Sequence, residues 1–230
     1  MFQTPYSTIV SGPSSCGKTT LLKKILLKYC YQYNVYFFFK NWQPLYEDIA
    51  FEHPKVRFFH YNVENNKNYN DDNLLEKMII SVPAHSTFVF DDGREASKAQ
   101  IIEDFFTRMC HHYNCNVFLL TQNLFDPKIR VMARNASYMI IFRSPRDAAQ
   151  IRCLAYQIYL ECDKAKALIK TFHEITSKPF GYMLLDFKPG TRDDRRIASE
   201  VLSDSPLFYC FQENPKVYKD PPFNTTYSFV

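Results

Sequence analysis

The chain has 230 residues, of which 46% are hydrophobic and 17% aromatic, and its formal net charge is +4. This length is sufficient for one sizeable α/β domain, and the composition excludes a disordered chain. No apolar run approaches the roughly 18 residues of a membrane span, and MFQTPYST lacks the features of a signal peptide. We therefore expect a protein of the cytosol or nucleus, or one packaged with a larger particle. The 7 cysteines, an odd number, are expected to be free thiols.

The first predicted elements are an apolar strand at Thr8–Val10, a glycine-containing turn and a leucine-rich helix. The turn matches the pattern G-x-x-x-x-G-K-[ST], in which the glycines let several backbone N–H groups point at phosphate oxygens. Lys18 is expected to reach the β- and γ-phosphates of ATP, and the Thr19 hydroxyl to bind Mg²⁺. The strand before the turn and the helix after it argue against a turn that binds nothing. The candidate nucleotide-binding residues are Gly12, Pro13, Ser14, Ser15, Cys16, Gly17, Lys18, Thr19 and Thr20.

The next part of the chain alternates between helical and extended patterns. Spacing of apolar residues and turn signals predict the element bounds. We predict helices at about Gly17–Tyr31, from Trp42 onward and at Leu74–Ile80, a buried strand at Val35–Phe39, a further strand at Val56–Tyr61, and a polar surface loop over 62–72.

A second candidate site follows the apolar run Thr87–Phe90, which ends in Asp91 and Asp92. Such a strand, downstream of a phosphate loop, is typical of a Walker B motif. Because α/β sheets place their ligands at the carboxyl ends of strands, Asp91 is expected to hold Mg²⁺. Asp92 is expected to orient the attacking water or accept its proton. A surface turn that merely begins with two acids is the alternative.

Apolar residues at helical spacing predict an amphipathic helix at Ile101–His112, and a buried strand follows at Asn116–Thr121. Gln122 ends this strand, at the position that senses the γ-phosphate in additional-strand ATPases. In those enzymes this strand lies between the phosphate-loop strand and the Walker B strand. A polar strand end that faces solvent is the alternative. The group Cys110, His111, His112 and Cys115 superficially resembles metal ligands, but its spacing matches no standard zinc site.

For the remaining chain we predict a loop, two strands, two helices and a tail. The loop is predicted at Leu124–Asn135, the strands at Tyr138–Phe142 and Gly181–Asp186, and the helices from Pro145 and at about Asp163–Ile175. We predict one domain over 1–205 and an irregular, proline- and aromatic-rich tail over 206–230. Residues 128–152 are rich in basic side chains, namely Lys128, Arg130, Arg134, Arg143, Arg146 and Arg152. Such a cluster suits binding to the phosphate of a nucleotide or a nucleic acid, although a solvated basic face is equally compatible.

Several segments together resemble one family of ATPases. They are WQPLYEDI, FVFDD, FFTRMCHHYNCNVFLLTQNLF, the pattern R-x-x-x-x-N-x-x-Y at Arg130, Asn135 and Tyr138, SPRDAAQIRCLAYQ and GYMLLDFKPGTRDDRR. Over about residues 7–202 the chain is similar to the genome-packaging ATPases of poxvirus-type and Polinton/Maverick-type DNA viruses and elements. These belong to the FtsK–HerA branch of additional-strand P-loop ATPases. The resemblance implies a RecA/FtsK-like α/β fold, with a mainly parallel sheet and helices on both faces.

The resemblance also implies an activity. The expected protein is a homo-oligomeric ring that hydrolyses ATP with Mg²⁺ and drives double-stranded DNA into a capsid, contacting portal or vertex proteins but no membrane. Lys18, Thr19 and Asp91 carry over as nucleotide and metal contacts, and Gln122 as the sensor. Arg130 is the first candidate for an arginine finger and Arg134 the second, since both follow Gln122. The expected location is an assembly site in the host nucleus or cytoplasm, or the virion.

Three other functions remain open from the sequence. A small-molecule kinase also uses a phosphate loop in a single α/β domain, but needs neither Asp92 nor Gln122. A helicase shares the same core as a duplex translocase. A nucleotide-gated binding module is a third alternative, although no guanine-reading N-K-x-D is found, since Asn66-Lys67 continues as Asn68-Tyr69.

Overall fold

The computed structural model describes residues 2–60, 83, 85–91, 100, 102–146, 148–211 and 227–229. The chain divides into two compact units, Met1–Ser11 with Gly17–Ser137 and Gly12–Cys16 with Tyr138–Val230. Some predicted features lie outside the described residues: Tyr61, the loop over 62–72, the helix Leu74–Ile80 and Asp92.

The first unit contains a parallel sheet. Its strands are β1 (Tyr6–Ser11), β2 (Val35–Phe39), β3 (Val56–His60), β4 (Thr87–Asp91) and β5 (Asn116–Thr121). They lie in the order β1-β5-β4-β2-β3, and every neighbouring pair is parallel. The predicted strands are therefore confirmed. β5 lies between β1 and β4, which is the position predicted for the additional strand.

Short helical segments accompany this sheet: α1 (Lys18–Tyr29), α2 (Pro44–Glu52), a π-helical turn (Phe105–Met109), α3 (Cys110–His112), a 3₁₀ turn (Pro127–Ile129) and α4 (Arg130–Asn135). The predicted loop at Leu124–Asn135 is therefore wrong. Asp126 Oδ1 accepts a hydrogen bond of 3.0 Å from the Lys128 N–H. This cap, with Pro127 in the first position, starts a helical segment. The prediction overlooked this capping pattern and assigned the segment to a loop.

Alternation along β2 and β4 assigns side chains to the two faces of the sheet. On one face, Phe105 of the π-helical turn packs on Phe88 and Phe90, with ring centroids 4.6 Å and 5.4 Å apart. On the other face, Tyr46 of α2 packs on Phe37, at 4.8 Å. Helical segments thus cover both faces, as predicted.

The cysteines that only superficially resemble metal ligands are buried in this unit. The Cys110 thiol donates a 3.1 Å hydrogen bond to the Cys115 carbonyl oxygen, and both residues are buried. Burial also raises the pKa of the Cys115 thiol to about 12, which disfavours the thiolate that a metal needs. In the described part of the chain no group of three or more His, Cys, Asp or Glu residues could hold a metal ion.

The second unit has a mixed sheet and two longer helices. Its elements are β6 (Tyr138–Phe142), α5 (Ala148–Ile158), α6 (Cys162–Ile175), β7 (Tyr182–Asp186), β8 (Ile197–Ser199), β9 (Leu207–Cys210) and β10 (Tyr227–Phe229). Strands β6 to β9 are neighbours in sequence order and pair antiparallel, and β10 pairs parallel with β9.

Two predictions for the second unit need correction. Pro145 lies in a turn, and the helix begins at Ala148; proline suits a turn as well as a first helical position. The segment 206–230 is not wholly irregular, because Leu207–Cys210 pairs with β8. The Tyr209 and Ser199 hydroxyls lie 3.0 Å apart and fix this pairing. The predicted domain boundary at 205 stays a prediction.

Among the described helices, none combines the length and the apolar character that crossing a bilayer requires.

Candidate functional site

Three neighbouring strands of the first unit end level with one another. Val10 pairs with Leu120, which pairs with Asp91, and Ser11 pairs with Thr121. Because neighbouring strands are about 4.8 Å apart, Asp91 lies about 10 Å across the sheet from β1. The chain leaves β1 at Ser11, Gln122 follows β5 and Asp91 ends β4, all at the same edge of this sheet.

The turn Gly12–Cys16 belongs to the second unit, and it depends on a glycine. A Cβ atom on Gly12 would lie 2.7 Å from both Cys16 Sγ and Phe142 Cβ, closer than real Cβ contacts. The Cys16 N–H donates to the Pro13 carbonyl oxygen at 3.4 Å, which closes the turn. Gly12 therefore permits a close backbone approach.

Helix α1 begins with the residues predicted to contact phosphate and metal. Its N-cap is Gly17, with φ of 97°, a conformation that glycine adopts without strain. No side chain caps this end, and no acidic residue lies in the first turn. Lys18 and Thr19 are its first two residues. The start of α1 therefore presents backbone N–H groups, a positive dipole, a cation and a hydroxyl.

Asp91 is the last residue of β4 and is 9% exposed. Its position in the strand alternation matches that of Val89, so its side chain lies on the α2 face of the sheet. There the Tyr46 hydroxyl donates a 2.5 Å hydrogen bond to Asp91 Oδ2. Asp92, the predicted catalytic acid, lies outside the described residues.

Gln122 follows β5 and is exposed at the edge of the sheet. Its neighbours fix the chain there. The Thr121 hydroxyl donates to the Asn123 carbonyl oxygen at 3.2 Å, and Asn123 Oδ1 accepts from the Phe125 N–H at 2.8 Å. These local turns explain why Gln122 is held at the strand tip.

Arg130 and Arg134, the two candidate finger residues, are exposed on α4. The far end of α4 is tied to the start of β1, since the Ser7 hydroxyl donates to the Asn135 carbonyl oxygen at 3.1 Å. The end of α4 at Asn135 therefore lies near the start of β1, at the edge of the sheet opposite Ser11. Of the two, Arg130 is nearer the end of α4 that follows Gln122.

Sequence reasoning missed Tyr46, which is 1% exposed and touches the predicted metal ligand. It lies in the segment WQPLYEDI that supported the family resemblance, so a signal was present. Its partner is 45 residues away, and spacing alone does not reveal such a contact.

These residues fit a magnesium nucleotide. The Thr19 hydroxyl and Asp91 carboxylate are oxygen donors, which Mg²⁺ prefers. The backbone at the start of α1 and Lys18 suit the phosphates. At Gly12 the absence of a Cβ lets the backbone approach Cys16 and Phe142 closely, as a tight turn requires.

No protein-family model matches the chain, and no curated protein matches it. The solved structures with a similar fold include two viral proteins. The genome packaging NTPase B204 from Sulfolobus turreted icosahedral virus 2, in complex with ATPγS, aligns with a TM-score of 0.50 and 16% identity, over 81% of this chain and 95% of that one. The DNA-packaging ATPase B204 from Sulfolobus turreted icosahedral virus aligns with a TM-score of 0.52 and 14% identity, over 80% and 94%.

These neighbours confirm the predicted fold class, the α/β fold of RecA-like P-loop NTPases with a mainly parallel sheet. The predicted resemblance to viral packaging ATPases is confirmed at the level of fold. Its poxvirus-type and Polinton-type detail stays a prediction.

The close approach at Gly12 generates a test. Gly12→Ala places a methyl group against Cys16 and Phe142, and overpacking of this kind costs about 1–3 kcal/mol. A shifted turn should lower affinity for ATP by about tenfold or more. Gly190→Ala is the matched control, because a Cβ there meets nothing within 4 Å. Titration with a fluorescent ATP analogue measures both variants, and equal affinities would show that the turn does not contact nucleotide.

Proposed function

We propose that this protein is a Mg²⁺-dependent ATPase that translocates double-stranded DNA and packages a viral genome into a capsid. The observation that carries the proposal is the order β1-β5-β4, which sets a phosphate-loop sequence, an exposed Gln122 and the buried Asp91 along one sheet edge. The similarity in fold to B204, described as a genome packaging NTPase, supports it.

Each predicted site residue has a role in this proposal. The Thr19 hydroxyl and Asp91 carboxylate would hold Mg²⁺, and Lys18 would bind the β- and γ-phosphates. Bound Mg²⁺ neutralises charge on the phosphate oxygens. Asp92 would orient water and accept its proton. The Gln122 amide, at the tip of β5, would hydrogen-bond the γ-phosphate oxygens and report whether that group is present.

Binding of duplex DNA is proposed from the basic residues between 128 and 152. All six of these side chains are exposed, and they project from both units: Lys128, Arg130 and Arg134 from the first, Arg143, Arg146 and Arg152 from the second. Basic side chains bind phosphate without reading sequence, which suits a motor that must move along any DNA.

The proposed assembly is a homo-oligomeric ring that docks on a portal or vertex of the capsid. A ring would let Arg130 of each subunit stabilise charge on the γ-phosphate bound by its neighbour, with Arg134 as the second candidate. Hydrolysis would then require assembly. The ring would act at assembly sites in the host nucleus or cytoplasm, or remain with the virion.

A DNA helicase and a small-molecule P-loop kinase are the alternatives. The helicase shares the ATP chemistry and differs in separating strands. The kinase is less favoured because Gln122 is held at a strand tip by Thr121 and Asn123, an arrangement that serves hydrolysis and that phosphate transfer to a small acceptor does not require.

The first test of the proposal is the response of ATP hydrolysis to DNA. Duplex DNA should stimulate the steady-state rate of ATP hydrolysis. Lys18→Ala should abolish hydrolysis, because it removes the cation at the phosphates. Lys24→Ala, on the exposed side of the same helix, is the matched control and should keep normal activity. Stimulation by a nucleoside but not by DNA would favour the kinase, and full activity of Lys18→Ala would refute the site.

The second test addresses the arginine finger. Arg130→Ala should bind ATP normally and hydrolyse it poorly, because charge on the γ-phosphate lacks stabilisation. Mixed with Lys18→Ala subunits, some sites should combine an intact phosphate loop with an intact Arg130, so activity should partly return. Arg134→Ala in the same mixture is the comparison. If Arg130→Ala keeps basal hydrolysis but loses stimulation by DNA, and mixing restores nothing, Arg130 contacts DNA and is not an arginine finger.

A further inference from the structure

Tyr46 and Asp91 form a buried hydrogen bond that the proposed mechanism does not yet use. Tyr46 is 1% exposed and Asp91 is 9% exposed. The phenol O–H donates to Asp91 Oδ2 at 2.5 Å, a short distance typical of a hydrogen bond to an ionised acceptor. A carboxylate buried to this extent needs such a donor to offset its lost hydration.

The ring of Tyr46 is held rigidly by other aromatic side chains. Its centroid lies 4.8 Å from that of Phe37, 5.5 Å from Trp42 and 5.6 Å from both Phe39 and Phe58. These contacts are mostly edge-on or tilted, the arrangement that aromatic pairs prefer. This packing places the hydroxyl at the end of β4, where it contacts Asp91.

Helix α2, which carries Tyr46, is itself anchored. Lys23 Nζ of α1 lies 2.8 Å from Glu52 Oε1 and 3.6 Å from Asp48 Oδ2. The hydrogen bond with Glu52 raises the pKa of Lys23. At the end of α2, His53 Nε2 lies 3.2 Å from the Cys30 carbonyl oxygen. Burial lowers the pKa of His53, while the hydrogen bond to the Cys30 carbonyl oxygen acts in the opposite direction.

We infer that Tyr46 is a positioning residue for the metal site, which orients the Asp91 carboxylate toward Mg²⁺. An ionised carboxylate has about four acceptor positions, and a rigid donor at one of them fixes the directions of the others. Partners of this kind hold metal ligands in place and commonly change metal affinity by about 10–100-fold. The inference rests on the proposed function, since it assumes that Asp91 is a metal ligand.

A role of the Tyr46 hydroxyl in positioning the metal ligand differs from a purely structural role in its effect on nucleotide binding. The hydroxyl touches Asp91, while nucleotide phosphates are proposed to bind at Lys18 and the start of α1. Removing the hydroxyl should therefore weaken the Mg²⁺-dependent part of nucleotide binding and leave binding in EDTA unchanged.

The variant is Tyr46→Phe, which keeps the ring and its packing. Tyr36→Phe is the matched control. Tyr36 is 7% exposed and stacks on Phe88 at 5.3 Å, on the opposite face of the sheet. Among the described residues its hydroxyl has no hydrogen-bond partner. Thermal unfolding of both variants checks that the fold is kept.

The readout is the Mg²⁺ concentration at half saturation, with a non-hydrolysable ATP analogue present. Trp42 is the chain's only tryptophan and is 48% exposed beside Tyr46, so its fluorescence reports locally on the titration. Tyr46→Phe should raise the midpoint about tenfold, with unchanged affinity for the analogue in EDTA. Tyr36→Phe should match the wild type in both.

The outcomes separate this inference from the proposed function. A wild-type protein whose nucleotide binding ignores Mg²⁺ would refute the metal site itself. A wild type that responds to Mg²⁺, with the same midpoint in Tyr46→Phe, would overturn the inference alone. A Tyr46→Phe protein that loses its fold, or loses affinity equally with and without Mg²⁺, would assign the hydroxyl to stability and also overturn it.

Discussion

The candidate site depends on the parallel pairing of β5 with both β1 and β4. Parallel strands carry their carboxyl ends to one edge, and the register sets Val10, Leu120 and Asp91 level. The three chain segments that follow therefore begin within about 10 Å of one another. Removing β5 from between its neighbours would separate Gln122 from the other predicted residues. The strand order therefore determines which chain segments can contribute to the candidate site.

The same sheet determines which side chain can reach the proposed metal position. Alternation along β4 sends Phe88 and Phe90 to one face and Asp91 to the other. On that second face, α2 brings Tyr46 within hydrogen-bonding distance. A carboxylate among aromatic rings would be costly without this donor. Packing and chemistry are therefore linked here, since the rings that fill the core also fix the phenol that holds Asp91.

Sequence patterns predicted those parts of the fold that local residues determine. Val35–Phe39 is a continuous apolar run, as buried parallel strands usually are, and it is strand β2. The phosphate turn carries its own pattern, and Gly12 and Gly17 occupy positions that require glycine. The order of β1, β5 and β4 was predicted from the Walker motifs and from the resemblance to additional-strand ATPases.

The remainder could not be predicted because it depends on tertiary contacts or on competing local signals. Arg130–Asn135 has only 6 residues and follows Pro127 closely, so a loop was predicted where α4 exists. Leu207–Cys210 gains its strand conformation by pairing with β8. The bond from Tyr46 to Asp91 joins residues far apart in sequence, and no spacing rule indicates it.

The central claim is that ATP hydrolysis moves this protein along intact duplex DNA. Displacement of a labelled third strand from a DNA triplex measures that movement directly, because a translocase removes the third strand without separating the duplex. The account predicts displacement that requires ATP and Mg²⁺, on blunt duplex as well as forked DNA, with the duplex left intact. Hydrolysis without displacement, or displacement only when the duplex strands separate, would contradict it.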